Sequence, residues 1–228
     1  MKTLWSKVRY GFTLIELLVV ITIIGILMTM VLPAVNKAIL QARLTKMTND
    51  GKKFVESLSI AGSDSAYTLR AYGLPLYGTT TVVSNNVFAN TRDYFVYAVT
   101  QEIMAVNWNF FAGPGIVPAK DAAGFTGTNH AWRLVGDVTE GYPETAPVMF
   151  TKNLSLTTLG EQITANPAGV PNVIVEIPPF GTKGVVAITK GFSGIKMLSE
   201  DLKLAIFTNI FLRSTIGGLA LTNKVLIP

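Results

Sequence analysis

Hydrophobic and polar positions follow two different patterns in the first sixty residues. From Phe12 to Leu32 there are 21 residues of which Glu16 alone carries a formal charge. As a helix rising about 1.5 Å per residue such a run is roughly 31 Å long, which matches the hydrocarbon core of a bilayer at about 30 Å. Past Pro33 the pattern changes. Leu40, Leu44, Met47, Phe54 or Val55, and Leu58 recur three or four apart with Gly51 at the missing step, while Lys37, Arg43, Lys46, Asp50, Lys52, Lys53 and Glu56 fall largely off that stripe. This is the period of an amphipathic helix. The two patterns together predict one helix over 12–59 with a membrane-spanning half and an amphipathic half. Pro33 lacks the amide hydrogen for a helical turn and Gly25 lowers helix propensity, so both are candidate points of helix flexibility.

Ala61-Gly62-Ser63-Asp64-Ser65 is read as the exit loop, leaving 60–228 as the head. From Tyr67 to Asn90 the sequence is turn-rich, with at most short strands such as Thr79–Val83. Thr91–Val106 is expected to be a helix. Short strands are expected at Trp132–Asp137 and Val148–Thr151, around the turn Gly141-Tyr142-Pro143. The best strands are Val173–Ile177 and Gly184–Thr189, expected to pair antiparallel across Pro178-Pro179-Phe180-Gly181. Ser199-Glu200-Asp201 is read as an N-cap with an acidic first turn, opening a helix through Leu202, Ala205, Ile206 and Ile210 to about Arg213. The fold class is α+β: a long N-terminal helix packed on a small antiparallel sheet with extra helices.

The carboxylate of Glu16 is the anomaly of the apolar run, since an unpaired charge deep in lipid costs about 2.5–3.5 kcal/mol on insertion scales. A basic leader with Lys2, Lys7 and Arg9 precedes a Gly11-Phe12 junction, Glu16 stands four residues beyond Phe12, and Gly25 and Pro33 follow. In these features the N-terminus resembles the type IV pilin and pseudopilin family. The resemblance implies a leader over 1–11, cleavage after Gly11 by a prepilin peptidase, N-methylation of the new Phe12 amine, and assembly with other pilin subunits into a filament from an inner-membrane platform. It implies a pilin-like head outside the cytoplasm, the anchor in the cytoplasmic membrane, and a final place in a periplasmic or extracellular filament. Charge does not orient the span, because Lys37, Arg43 and Lys46 balance Lys2, Lys7 and Arg9. In the resemblance, Glu16 of one subunit meets the Phe12 amine of a neighbour. At an effective dielectric of about 20 and roughly 4 Å such a pair interacts by about 4 kcal/mol before desolvation.

Composition then narrows the function. The formal charge of +5 falls to +2 once the leader's three cations are removed, which is too weak by itself to argue for a nucleic acid partner. The chain has no Cys, so disulfides, thiolate metal sites and a Cys nucleophile are excluded. Gly191-Phe192-Ser193-Gly194 falls one residue short of a nucleophile elbow and is read as a turn. Gly181-Thr182-Lys183 lacks the glycine spacing of a phosphate loop. His130, the one histidine, is read as a surface or capping residue instead of a metal ligand. Trp108, Phe110, Phe111, Trp132 and Tyr142 form either a ligand surface or, more commonly for such residues, head core. The reading is therefore no enzyme, no cofactor and no metal: a structural subunit of a type IV pilus-like filament. The alternatives are a type II secretion pseudopilin or a membrane-anchored extracytoplasmic binding module, as for DNA uptake.

Overall fold

The structure is a computed structural model that describes residues 11–63, 74–83, 86–139, 141–161, 163–167, 169–203, 215–216, 219–220 and 222–228. Two compact units divide it, Met1–Ala42 and Arg43–Pro228. Helix α1, Leu14–Ser63, is a single α-helix with Pro33 inside it. In the first unit every residue from Gly11 to Ile39 is exposed, including the whole apolar run.

The second unit is built on the amphipathic half of α1. Leu44, Met47, Phe54, Val55 and Leu58 are buried, and Lys46 pairs with Asp50 on the outer face at 2.8 Å. The stripe packs on a four-stranded sheet of β3 (Trp132–Leu134), β4 (Pro147–Thr151), β5 (Gly184–Thr189) and β6 (Gly194–Leu198), ordered as in the chain and antiparallel throughout. Two short strands precede it, β1 (Leu76–Tyr77) and β2 (Val87–Phe88), which pair in parallel. Near the C-terminus β7 (Thr215–Ile216) and β8 (Leu219–Ala220) form a small antiparallel pair.

Glycines let α1 lie close on this sheet. A Cβ at Gly51 would stand 2.7 Å from Ile188 Cγ1 and 3.0 Å from Trp132, and one at Gly184 would stand 3.2 Å from Leu44. A Cβ at Gly194 would collide with Thr48. Gly184, Val186 and Ile188 share one face of β5, opposite Leu198, Lys196 and Gly194 of β6, so that face meets the helix. Lys196 reaches back to the Thr45 hydroxyl at 3.1 Å. β3, β4 and β5 are buried at every position, which is why β4 and β5 read as nearly continuous apolar runs and why Arg133 of β3 must find its partners inside the fold. The outer edge of β3 is closed by the C-terminal segment, through Leu226 N–H to Leu134 O at 2.9 Å and Gly136 N–H to Lys224 O at 2.9 Å.

Three expectations are corrected. Helix α2 spans Thr91–Thr100 and stops short of Val106. Asn90 caps its start by accepting the Asp93 amide at 2.8 Å. At its end Glu102 takes a left-handed φ of 56° and the Met104 amide turns back to Ala98 O, burying Ile103 and Met104 through a turn instead of a further helical turn. The expected strand Val173–Ile177 does not form and does not pair with β5. Both edges of β5 are already taken by β4 and β6, so Val173–Val175 only meets the loop after β4, with Ser155 N–H to Val173 O at 2.7 Å and Val175 N–H to Asn153 O at 2.9 Å. Ser199–Lys203 is a turn in which the amides of Asp201 and Leu202 return to Leu198 O, so Ser199 caps no helix there; the rest of that expected helix, Leu204 to Arg213, lies outside the described residues. The turn expected at Gly191–Gly194 is the β5–β6 hairpin, closed by Thr189 N–H to Ser193 O at 2.9 Å.

Candidate assembly segment and buried polar groups

The N-terminal segment is locally organised around Thr13 and Glu16. The Glu16 Oε2 accepts both the Thr13 amide and the Thr13 hydroxyl at 2.8 Å, and the Glu16 amide donates to Thr13 Oγ1 at 3.3 Å. This reciprocal arrangement is a capping box, in which the N-cap hydroxyl and the carboxylate three residues on satisfy each other's amides. The signal for it is the spacing Thr13-x-x-Glu16, so Glu16 is a capping residue as well as a charge within the apolar run. A negative group in the first turn also complements the helix dipole.

Phe12, Ile15, Glu16, Val19 and Val20 line one face of the helix, spaced three, four, seven and eight apart from Phe12. Phe12 and Glu16 are thus brought onto one stripe, with Phe12 73% exposed. Gly11 immediately precedes this face. Gly25 and Pro33 lie farther along α1 and join no cluster with it. A Cβ at Gly11 or Gly25 would meet nothing within 4 Å, so neither glycine is required by packing inside this chain. The two hydroxyls deep in the run are satisfied by the backbone of their own helix, Thr22 to Leu18 O and Thr29 to Ile26 O, both at 2.7 Å. A helical run that meets the needs of its hydroxyls in this way, and is otherwise apolar from Leu17 to Leu32, is suited to a bilayer.

The aromatic residues of the second unit are mainly core. Phe111 and Trp132 are fully buried and Tyr142 nearly so, while Trp108 and Phe110 are half-buried at the margin of a cluster that joins Phe54, Phe95, Phe111 and Phe125. His130 sits inside this cluster, not on the surface and not in a cap, which corrects the sequence reading. Its ring meets Phe95 edge-on at 5.3 Å and stacks on Phe125 at 5.7 Å. Burial pushes its pKa down to about 3, the Lys152 ammonium adds to that, and the Trp132 backbone opposes it. Other buried cations are held by carbonyls. Arg133 donates to Leu226 O and Leu154 O at 3.3 Å, with burial lowering its pKa to about 10 against the pull of Glu161. Lys190 donates to Tyr142 O at 2.8 Å and pairs with Glu144 at 3.0 Å, pinning the start of the β5–β6 hairpin to the turn before β4. Among the described residues no group of three or more His, Asp or Glu is placed to hold a metal.

The prokaryotic N-terminal methylation motif matches residues 6–32. No curated protein and no solved structure matches the chain. The chain therefore carries the signature of type IV pilins and pseudopilins on a pilin-like α+β fold, a long apolar N-terminal helix with a small antiparallel sheet and a further helix. The motif implies processing by prepilin peptidase and assembly with other pilin subunits, and it fits membrane anchoring through α1.

Proposed function

We propose that this chain is a structural subunit of a type IV pilus-like filament. It is held in the cytoplasmic membrane by Phe12–Leu32 with the 60–228 head outside the cytoplasm, cleaved after Gly11, methylated at Phe12 and then polymerised. The observation that carries this reading is the fully exposed apolar half of α1 bearing a single carboxylate within the methylation motif. In lipid the apolar run is solvated by acyl chains; in a filament it is buried among neighbouring copies. Glu16 then offers the one charge able to set register, by meeting the Phe12 amine of the next subunit. Its Thr13 bonds fix that carboxylate at the first turn, on the same stripe as Phe12.

A type II secretion pseudopilin remains the alternative because the matched motif is common to both classes. Deleting the gene distinguishes them by whether surface filaments or an extracellular cargo is lost. The reading itself is tested by a pair of variants. Gly11→Val should leave only a precursor larger by the 11-residue leader on immunoblots. Glu16→Val should be inserted and cleaved normally, since an apolar residue removes the carboxylate penalty, but be depleted from filaments relative to the membrane pool when co-expressed with the unaltered chain. Normal maturation of Gly11→Val, or equal incorporation of Glu16→Val at matched expression, refutes the respective role.

A further inference from the structure

The segment between α2 and β3 is held in an unusual way. Among its described residues from Gln101 to Ala131 there is no strand, and its one helical piece is the three-residue turn Trp108–Phe110. It is attached by side chains, Phe111 and Phe125 packing on Phe95 of α2, Phe110 and Phe111 on Phe54 of α1, and Arg92 donating to Phe125 O at 2.9 Å, and by the backbone at its very end, where Lys152 N–H donates to Ala131 O at 2.7 Å. At its C-terminal end Lys152 reaches Gly127 O and Thr128 O at only 3.4 and 3.5 Å. Between its two ends the segment has no strand pairing, and a stretch held there by side-chain packing opens at lower free energy than a sheet.

His130 closes this segment, and it is the chain's one histidine. Its side chain is fully buried, and neither ring nitrogen has a hydrogen-bond partner in the structure. The neutral ring leaves one N–H donor and one acceptor nitrogen unmet but buries no charge. A second proton would create an imidazolium in an apolar cage, where the Trp132 backbone alone favours the charge. The charged groups around it offer no compensation. From the end of β4 it faces the Lys152 cation; from α2 it faces Phe95, whose neighbour Arg92 is paired with Asp93 at 2.8 Å. On its own segment the ionisable residues are Glu102, Lys120 and Asp121, all exposed and none forming a hydrogen bond or ion pair with the ring. Cation–π attraction to Phe95 and Phe125 offsets only part of the desolvation.

We propose that His130 is an acid-sensitive latch: its protonation releases the Asn107–Ala131 segment from α2 and exposes the aromatic cluster, while the β3–β6 sheet remains folded. The direction follows from linkage. The closed state holds the ring neutral down to about pH 3, whereas in an open segment it titrates near the ordinary histidine value of about 6.5. The closed state is therefore fully favoured above about pH 6.5 and loses that advantage as pH falls toward 3. At pH 5 the opening equilibrium should be raised about 30-fold over its value at pH 8.

The test uses the full chain in detergent micelles. Ring ¹⁵N signals of the single histidine should still report a neutral imidazole at pH 5, and a native ring titrating near 6.5 would overturn the proposal. Hydrogen exchange, normalised for intrinsic rates, should show peptides within Asn107–Ala131 less protected than β4 and β5 at both pH values, with their protection falling about 30-fold from pH 8 to pH 5. His130→Leu, and His130→Phe as a second variant, should abolish that pH dependence. Equal protection of segment and sheet at every pH would mean that opening is global, and unchanged pH dependence in the variants would assign it to another group; either result overturns the latch.

Discussion

Gly51→Ala gives a sign test of the close approach between α1 and the sheet. In an exposed helix interior the change stabilises by about 0.8–1 kcal/mol, because Gly loses more backbone entropy than Ala on folding. Here the new Cβ would stand 2.7 Å from Ile188 Cγ1, 3.0 Å from Ile188 Cδ1 and 3.0 Å from Trp132 Cη2. Carbon atoms prefer about 3.5–4.0 Å, so a movement approaching 1 Å is demanded of side chains that are themselves fully buried, Ile188 at 0% and Trp132 at 1% exposure. Overpacking of this kind costs about 1–3 kcal/mol. The overpacking outweighs the propensity gain, and a net loss of about 1 kcal/mol is expected, or about 2–4 °C in melting temperature for a domain of this size. Urea and thermal melts of a soluble fragment from Ala34 to Pro228 would measure it, since the core residues all lie beyond Arg43. Ile188→Ala removes both crowding atoms of Ile188, costs about 2–5 kcal/mol alone, and should combine with Gly51→Ala for less than the sum of the two. If Gly51→Ala instead stabilises by about 1 kcal/mol, propensity alone is acting and the helix does not lie this close to β5.

Leu58→Asp places an ionised group on the fully buried stripe of α1 and should lower stability by several kcal/mol, enough to abolish a cooperative melt of the same fragment; an unchanged melt would show that the stripe does not face the head core. Asn90→Ala removes the cap of α2 and should cost about 1 kcal/mol, read as a shift in urea midpoint without a change in slope.

Much of α1 is legible in the sequence because its information is local. The run Phe12–Leu32 needs only composition and length to be recognised as a span, and the stripe through Leu44, Met47, Phe54, Val55 and Leu58 needs only the helical period; all five of those side chains are buried. The Thr13–Glu16 capping box is equally local, a matter of spacing along one turn. The start of α2 at Asn90 follows the same logic, while its end does not. Ile103 and Met104 continue the apolar pattern, and only the turn at Glu102, which sets them into the core, stops the helix.

Strand partnership was decided by the tertiary structure. Val173–Ile177 and Gly184–Thr189 have the same β-branched character, but a strand offers two edges and those of Gly184–Thr189 are filled by Pro147–Thr151 and Gly194–Leu198. The last of these reads weakly by itself; its place depends on one glycine, Gly194, that admits Thr48 of a helix some 146 positions earlier. His130 was decided in the same way. Its immediate neighbours along the chain do not announce burial, which comes from Phe95 on α2 and Phe125 of its own segment closing around it. Helical periodicity and membrane length are properties of consecutive residues, so they can be read in order. Edge occupancy and desolvation are properties of what distant residues do to one another, and they exist only once the chain has folded.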